Sequence, residues 1–152
     1  MRYLIGFGSY SMADDSIGLR IVDHIIDHGL DREFEAVGIA DEGTRLLSYL
    51  TPETEKIVLI DAMDLGLPAG EYRLFEAKDV ETTKETSGWT THEGDVLKIL
   101  GLAGSLGHAI PPLTILGIQI GRLEPGMELS PALRERFDAY LRVAVEEIRK
   151  GS

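Results

Sequence analysis

An α/β domain with a largely parallel sheet is what this 152-residue sequence predicts. Three observations carry the prediction. Short apolar runs alternate with stretches whose apolar residues recur at helical spacing, the pattern of a strand–helix–strand chain. The runs Ile57-Val58-Leu59-Ile60 and Leu113 to Ile120 read as buried strands, continuous in the way that suits a strand covered on both faces. No repeat, low-complexity tract or interdomain linker breaks the succession, and the length fits a single domain over residues 1–152.

The elements follow in order. Arg2 to Gly6 is short, apolar and ends in glycine, so it reads as a buried strand. Ile17, Ile21, Val22, Ile25 and Ile26 lie on one helical face that stops at Gly29. Phe34 to Ala40 alternates and is rich in strand formers, and Thr44 to Leu50 is a short helix closed by Pro52. After the strand at Ile57–Ile60, Gly70 to Glu76 predicts a more exposed strand, and Lys78 to Thr91 a polar loop. Asp95 to Leu102 is helical in pattern, with Thr90 and Glu93 at the spacing of a capping box. Beyond the strand ending at Ile120, Ser130-Pro131 reads as a cap followed by proline at the first helical position. Leu133, Phe137, Tyr140, Leu141, Ala144 and Ile148 then trace one face of a long final helix.

Composition excludes several function classes. A formal charge of −11 leaves no basic footprint for nucleic acid and disfavours an anionic membrane surface. With no cysteine, disulfides, thiolate metal sites and cysteine nucleophiles are ruled out. No apolar stretch approaches the roughly 20 residues that span a bilayer. The N-terminus carries no charged-then-apolar signal pattern, so a cytoplasmic protein is the expectation.

In sheets of this kind ligands gather beyond the carboxyl ends of the strands. The first strand runs into Gly6-Phe7-Gly8-Ser9 and on to Asp14-Asp15-Ser16-Ile17-Gly18. A strand, a glycine turn and a helix normally suggest a phosphate cradle, but acids at the helix start already place negative charge there. Those acids can hold a cation instead. The third strand leads into Asp61, and Asp15 and Asp61 converge if the two strands are neighbours. Either acid alone reads more simply as a cap. His92, at an expected helix start, is the third candidate, because a helix N-terminus favours the neutral imidazole that binds metals. His24 and His28 stand at i, i+4 without the glutamate of a zinc-protease helix and read as surface residues. Nothing assigns a role to His108. Two carboxylates and an imidazole suit nickel, zinc or iron(II) and leave coordination positions open. Metal-assisted hydrolysis is the reaction class that follows, with a peptide bond as a candidate substrate. A serine triad lacks its Gly-x-Ser-x-Gly elbow. Ser11 stands where a dinucleotide fingerprint needs its third glycine, which leaves nucleotide binding as a weaker reading.

These residues, taken in order, resemble the hydrogenase maturation endopeptidases over almost the whole chain. The opening loop and acidic pair match, as do Asp41-Glu42-Gly43-Thr44, Ile57–Asp61-Ala62 with Gly66-Leu67-Pro68, and Thr91-His92-Glu93 before a leucine-rich helix. Leu116-Gly117-Ile118-Gln119 and Leu129-Ser130-Pro131 complete the series. The resemblance implies a three-layer α/β/α sandwich around a mostly parallel, twisted, five-stranded sheet. It implies that Asp15, Asp61 and His92 are catalytic and contact the metal, while Asp41, Glu42, Gly43 and Thr44 serve substrate recognition. It further implies a nickel ion supplied by the substrate, other divalent metals substituting. The activity implied is removal of the C-terminal extension from the large-subunit precursor of a nickel–iron hydrogenase. Asp14 takes a capping or supporting role. Ser9 stands in place of the family's asparagine and Ser16 in place of its glycine. Those departures motivate the alternative of a non-catalytic maturation module that binds a metal-loaded partner.

Overall fold

The computed structural model describes residues 1–40, 43–76, 90–91, 96–121, 125–126 and 128–150. Its sheet contains β1 (Arg2–Gly8), β2 (Glu35–Ala40), β3 (Lys56–Asp64), β4 (Tyr72–Glu76), β5 (Thr90–Thr91) and β6 (Leu113–Gln119). The main strands lie in the order β2-β1-β3-β6-β4, and β5 adds to the end of β3. Pairings β1–β2, β1–β3 and β3–β6 are parallel, while β4 runs antiparallel to β6. The five main strands thus form the mostly parallel sheet that the resemblance implies, with β5 a short sixth strand beside β3.

Helices cover both faces. On one face α1 (Ile17–Asp27) and α4 (Phe137–Arg149) pack Ile17, Ile21, Ile25, Tyr140, Ala144 and Ile148 onto Leu4, Val58, Ile60 and Ile118. On the other, Leu46 and Leu50 and the helix α2 (Val96–Ser105) cover Ile5, Leu59, Met63 and Ile115. Alternate residues of β3 thus go to opposite cores, which explains why its sequence is apolar without alternation. Ile57, Val58, Leu59 and Ile60 are all fully buried. Each such side chain contributes about 2 kcal/mol, so the central strand is a large part of the fold's stability.

At the amino edge of the sheet, cations hold the last turn of α4. Arg2 Nη1 donates to the carbonyls of Ile148 and Lys150, and Lys56 Nζ donates to the carbonyl of Glu147. Cations are favoured at this end of a helix, where carbonyls have no intrahelical partner.

The structure differs from the sequence reading in several places. The short helix after β2 is a 3-10 helix, Gly43–Tyr49. The long final helix is two: α3 (Pro131–Glu135) ends and α4 begins at Arg136, whose φ of −101° and ψ of 6° leave the helical region. The Arg136 N–H bonds Leu133 three residues back, and an apolar period does not record one tightened turn. Residues 78–89 of the expected loop lie outside the described residues, and its last two form β5. Thr90 does not open a helix but pairs with Asp64 in the sheet; α2 is described from Val96, and Glu93 of the expected capping box lies outside the described residues. Ser130 does precede Pro131 at the start of α3, but its hydroxyl turns away from the helix to Asp14.

Candidate functional site

The chain leaves β1 for β2 on one side of the sheet, then returns to lay β3 on the other. Strand order therefore reverses between β1 and β3, and open α/β sheets bind ligands beyond the carboxyl ends at such a point. The β1–β3 ladder stops at Gly6 and Ile60. Asp61 is the next residue of β3. It is not a strand end, as the sequence reading has it, because β3 continues to Asp64. The continuation is held by β6, where Asp61 pairs with Gly117 and Met63 with Gln119. On the opposite edge β5 takes over at Met63, paired with Thr91. Asp61 thus stands in the gap between the end of β1 and the start of β5. It shares the face of Leu59 and Met63, the face that α2 covers.

Asp15 is brought to the carboxyl end of β1 through glycines. It sits in a 3-10 turn, Ala13–Ser16, between β1 and α1. The Ser9 N–H donates to the Asp15 carbonyl at 3.3 Å. A Cβ on Gly8 would lie 1.9 Å from that carbonyl, so only glycine admits this approach. One turn on, a Cβ on Gly18 would lie 2.5 Å from the Ile60 carbonyl and 2.6 Å from that of Phe7. The start of α1 therefore rests on the backbone of both strands. Asp15 and Asp61 are each within three residues of that contact, and they are 1 % and 2 % exposed. Removing two carboxylates from water is costly unless cations or hydrogen-bond donors meet them.

Asp14 is equally buried, and its partners are visible. Its Oδ1 accepts from the Ser130 N–H at 2.7 Å. Its Oδ2 accepts from the Gly121 N–H at 2.7 Å and from the Ser130 hydroxyl at 2.8 Å. Asp14 is therefore not a cap of its own helix but a tie to the connection between β6 and α3. Sequence reasoning missed this, since Ser130 and Gly121 are more than 100 residues away in the chain. Ser16 is also engaged: its hydroxyl donates to the Ala13 carbonyl at 2.6 Å and accepts from Arg20 Nε at 2.7 Å.

His92, Asp41 and Glu42 lie outside the described residues. Their described neighbours are on this edge of the sheet: Thr91 beside Met63, and Gly43 and Thr44 in the 3-10 helix that follows β2. Among the described residues no three His, Cys, Asp or Glu side chains cluster as a metal site. His24 and His28 stack ring on ring at 4.0 Å on the surface of α1. His108 faces the Leu50 carbonyl, before the start of β6 and so away from the strands' carboxyl ends.

Fold and site together define a class: a three-layer α/β/α protein with buried carboxylates at the switch point of its sheet. Comparison with known proteins narrows it. The family model described as hydrogenase maturation protease matches residues 20–147. The hydrogenase expression/formation protein HupD of Rhodobacter capsulatus is 26% identical over 148 residues, covering 96% of this chain and 70% of that protein. HupD of Thiocapsa roseopersicina is 29% identical over 147 residues, 94% of this chain and 65% of its own length. Among solved structures, the [NiFe] hydrogenase maturation protease HybD from Thermococcus kodakarensis superposes with a TM-score of 0.75 at 25% identity, covering 98% of this chain and all of its own. The hydrogenase maturating endopeptidase HybD from E. coli, at 20% identity and a TM-score of 0.77, shares the fold over 98% of this chain and 93% of its own. The chain belongs to the hydrogenase maturation protease family.

Proposed function

We propose that this protein is an endopeptidase that removes the C-terminal extension of a nickel–iron hydrogenase large-subunit precursor. Family membership supports the class of activity. The observation that carries it to particular residues is the pair of buried carboxylates at the sheet's switch point, Asp15 in the turn after β1 and Asp61 on β3. In this reading Asp15, Asp61 and His92 contact the metal. His92 is included because its neighbour Thr91 pairs with β3 two residues beyond Asp61.

The ion is nickel, carried in by the precursor and recognised as part of the substrate. Other divalent ions with the same preference for nitrogen and oxygen donors substitute for it. A buried pair of carboxylate donors fits such a cation in charge and chemistry. A divalent ion held by Asp15, Asp61 and His92 would supply Lewis acidity toward the scissile carbonyl. The chain's own part is to place the donors. Asp61 is fixed by the β3–β6 ladder and Asp15 by the turn packed on Gly8 and Gly18. Asp41, Glu42, Gly43 and Thr44, following the neighbouring strand β2, contribute to substrate choice. The cytoplasm is the compartment this reading assigns.

The test is to incubate the protein with a nickel-loaded large-subunit precursor and measure the precursor's mass. Loss of a C-terminal fragment supports the reading. Stable binding without any mass change, across several candidate precursors, supports a non-catalytic maturation module instead.

A further inference from the structure

Asp14 is fully buried, is adjacent to Asp15 in the same short turn, and spends three hydrogen bonds on a distant segment. That segment, from Gly121 to Ser130, joins β6 to α3 and meets the turn a second time. The Ala13 N–H donates to the Gly126 carbonyl at 2.8 Å, and the Gly126 N–H donates to the Ser11 carbonyl at 2.8 Å. The turn needs such support. Ala13 has a φ of 45°, a left-handed conformation that a non-glycine residue holds only when its surroundings impose it. Local bonds add to that support: the Asp15 N–H donates to the Met12 carbonyl at 3.0 Å, the Ser9 N–H to the Asp15 carbonyl at 3.3 Å, the Ile17 N–H to the Asp14 carbonyl, and the Ser16 hydroxyl to the Ala13 carbonyl.

We propose that Asp14 is a positioning residue for the proteolytic site. Its carboxylate ties the turn that carries Asp15 to the β6–α3 connection and so fixes Asp15 relative to Asp61. The inference rests on the reading that Asp15 belongs to the site. Both sides of the tie are anchored in the sheet. Gly121 follows β6, which pairs with the Asp61 strand, and the turn leaves β1, the strand on the other side of β3. A carboxylate that accepts from two backbone N–H groups and a hydroxyl suits this task. An amide at the same place turns a donor toward at least one donor.

The experiment compares wild type with Asp14→Asn and, as the milder change, Ser130→Ala, by amide hydrogen exchange and by precursor cleavage. Exchange should quicken at Ala13, Gly121, Gly126 and Ser130 while the β3–β6 amides of Leu59 and Ile115 stay at wild-type rates. Cleavage by Asp14→Asn should fall about tenfold or more in kcat with KM little changed, as misplacement of a reacting group does. Ser130→Ala should move both readouts the same way by less. Unchanged exchange in both variants overturns the tie. Faster exchange with wild-type kcat overturns the positioning role. A wild-type protein that leaves every precursor whole overturns the proteolytic reading instead, and amide exchange then decides the tie alone. If Asp14→Asn does not fold, Ser130→Ala carries the same test.

Discussion

Gly18→Ala is the substitution that separates stability from activity most cleanly. A methyl group at position 18 would lie 2.5 Å from the Ile60 carbonyl oxygen, 2.6 Å from the Phe7 carbonyl oxygen and 2.9 Å from the Phe7 nitrogen. All three are backbone atoms of β1 and β3, so no rotamer change relieves them. Restoring even 3.0 Å from the Ile60 oxygen requires about 0.5 Å of movement, the difference between 3.0 and 2.5. The sheet is fixed by ladders on both sides of β3, so the start of α1 must move, and Asp15 moves with it. Overpacking of this kind costs about 1–3 kcal/mol. Alanine returns up to about 1 kcal/mol through its better helix propensity. The net loss expected in urea unfolding is therefore between about 0 and 3 kcal/mol, and the fold survives. Activity should suffer more. A displacement approaching 1 Å at a reacting group costs about a hundredfold, so cleavage by Gly18→Ala should drop by tenfold or more while most of the protein is still folded. Wild-type cleavage together with wild-type stability would refute the claim that this contact sets the spacing of the acids.

Other predictions follow from the same contacts. Burial first, with Asp14 and Glu71 adding and Arg136 opposing, pushes the Tyr140 hydroxyl from 10.0 up to about 12. Between those values the folded state keeps a proton that the unfolded state has lost, so stability falls as pH rises, by about 3 kcal/mol in all. Tyr140→Phe should flatten that part of a urea-midpoint profile against pH, and at neutral pH should cost about 1 kcal/mol for the lost bond to the Gly70 carbonyl. An equally steep alkaline loss in the variant would show that another group is responsible. Lys56 has the opposite sign. Burial holds its ammonium below the usual 10.5 against the pull of Glu147, so its contribution grows as pH rises toward 10.5. Arg2→Ala removes two bonds from the end of α4 and should lower stability by about 1–2 kcal/mol, read as a lower thermal midpoint, with cleavage unchanged because the site is at the other edge of the sheet.

Sequence and structure agree where local chemistry decides the outcome. The apolar block from Ile57 to Ile60 needs cover on both faces, and both faces have it. The isoleucines at 17, 21 and 25 share one helical face and meet one core. Asp15 and Asp61 could be nominated because open parallel sheets bind ligands beyond their strand ends. Strand order carries the remaining step, the adjacency of β1 and β3, and a single sequence does not state strand order. Asp14 illustrates what sequence could not supply. An acid before a helix looks like a cap, and its actual partners are set by how α3 docks. The glycines had a second meaning as well. Gly8 and Gly18 looked like turn and helix-start residues, yet their use is close approach of one backbone to another. Thr90 failed as a cap because the end of β3 offered its backbone a ladder partner.

The central claim is that Asp15, Asp61 and His92 cut a nickel-loaded precursor. Mass spectrometry of such a precursor, incubated with wild type and with Asp15→Asn, Asp61→Asn and His92→Ala, addresses it directly. Wild type should shorten the precursor at its C-terminus, and each folded variant should leave it whole. Wild-type shortening by all three variants would contradict it.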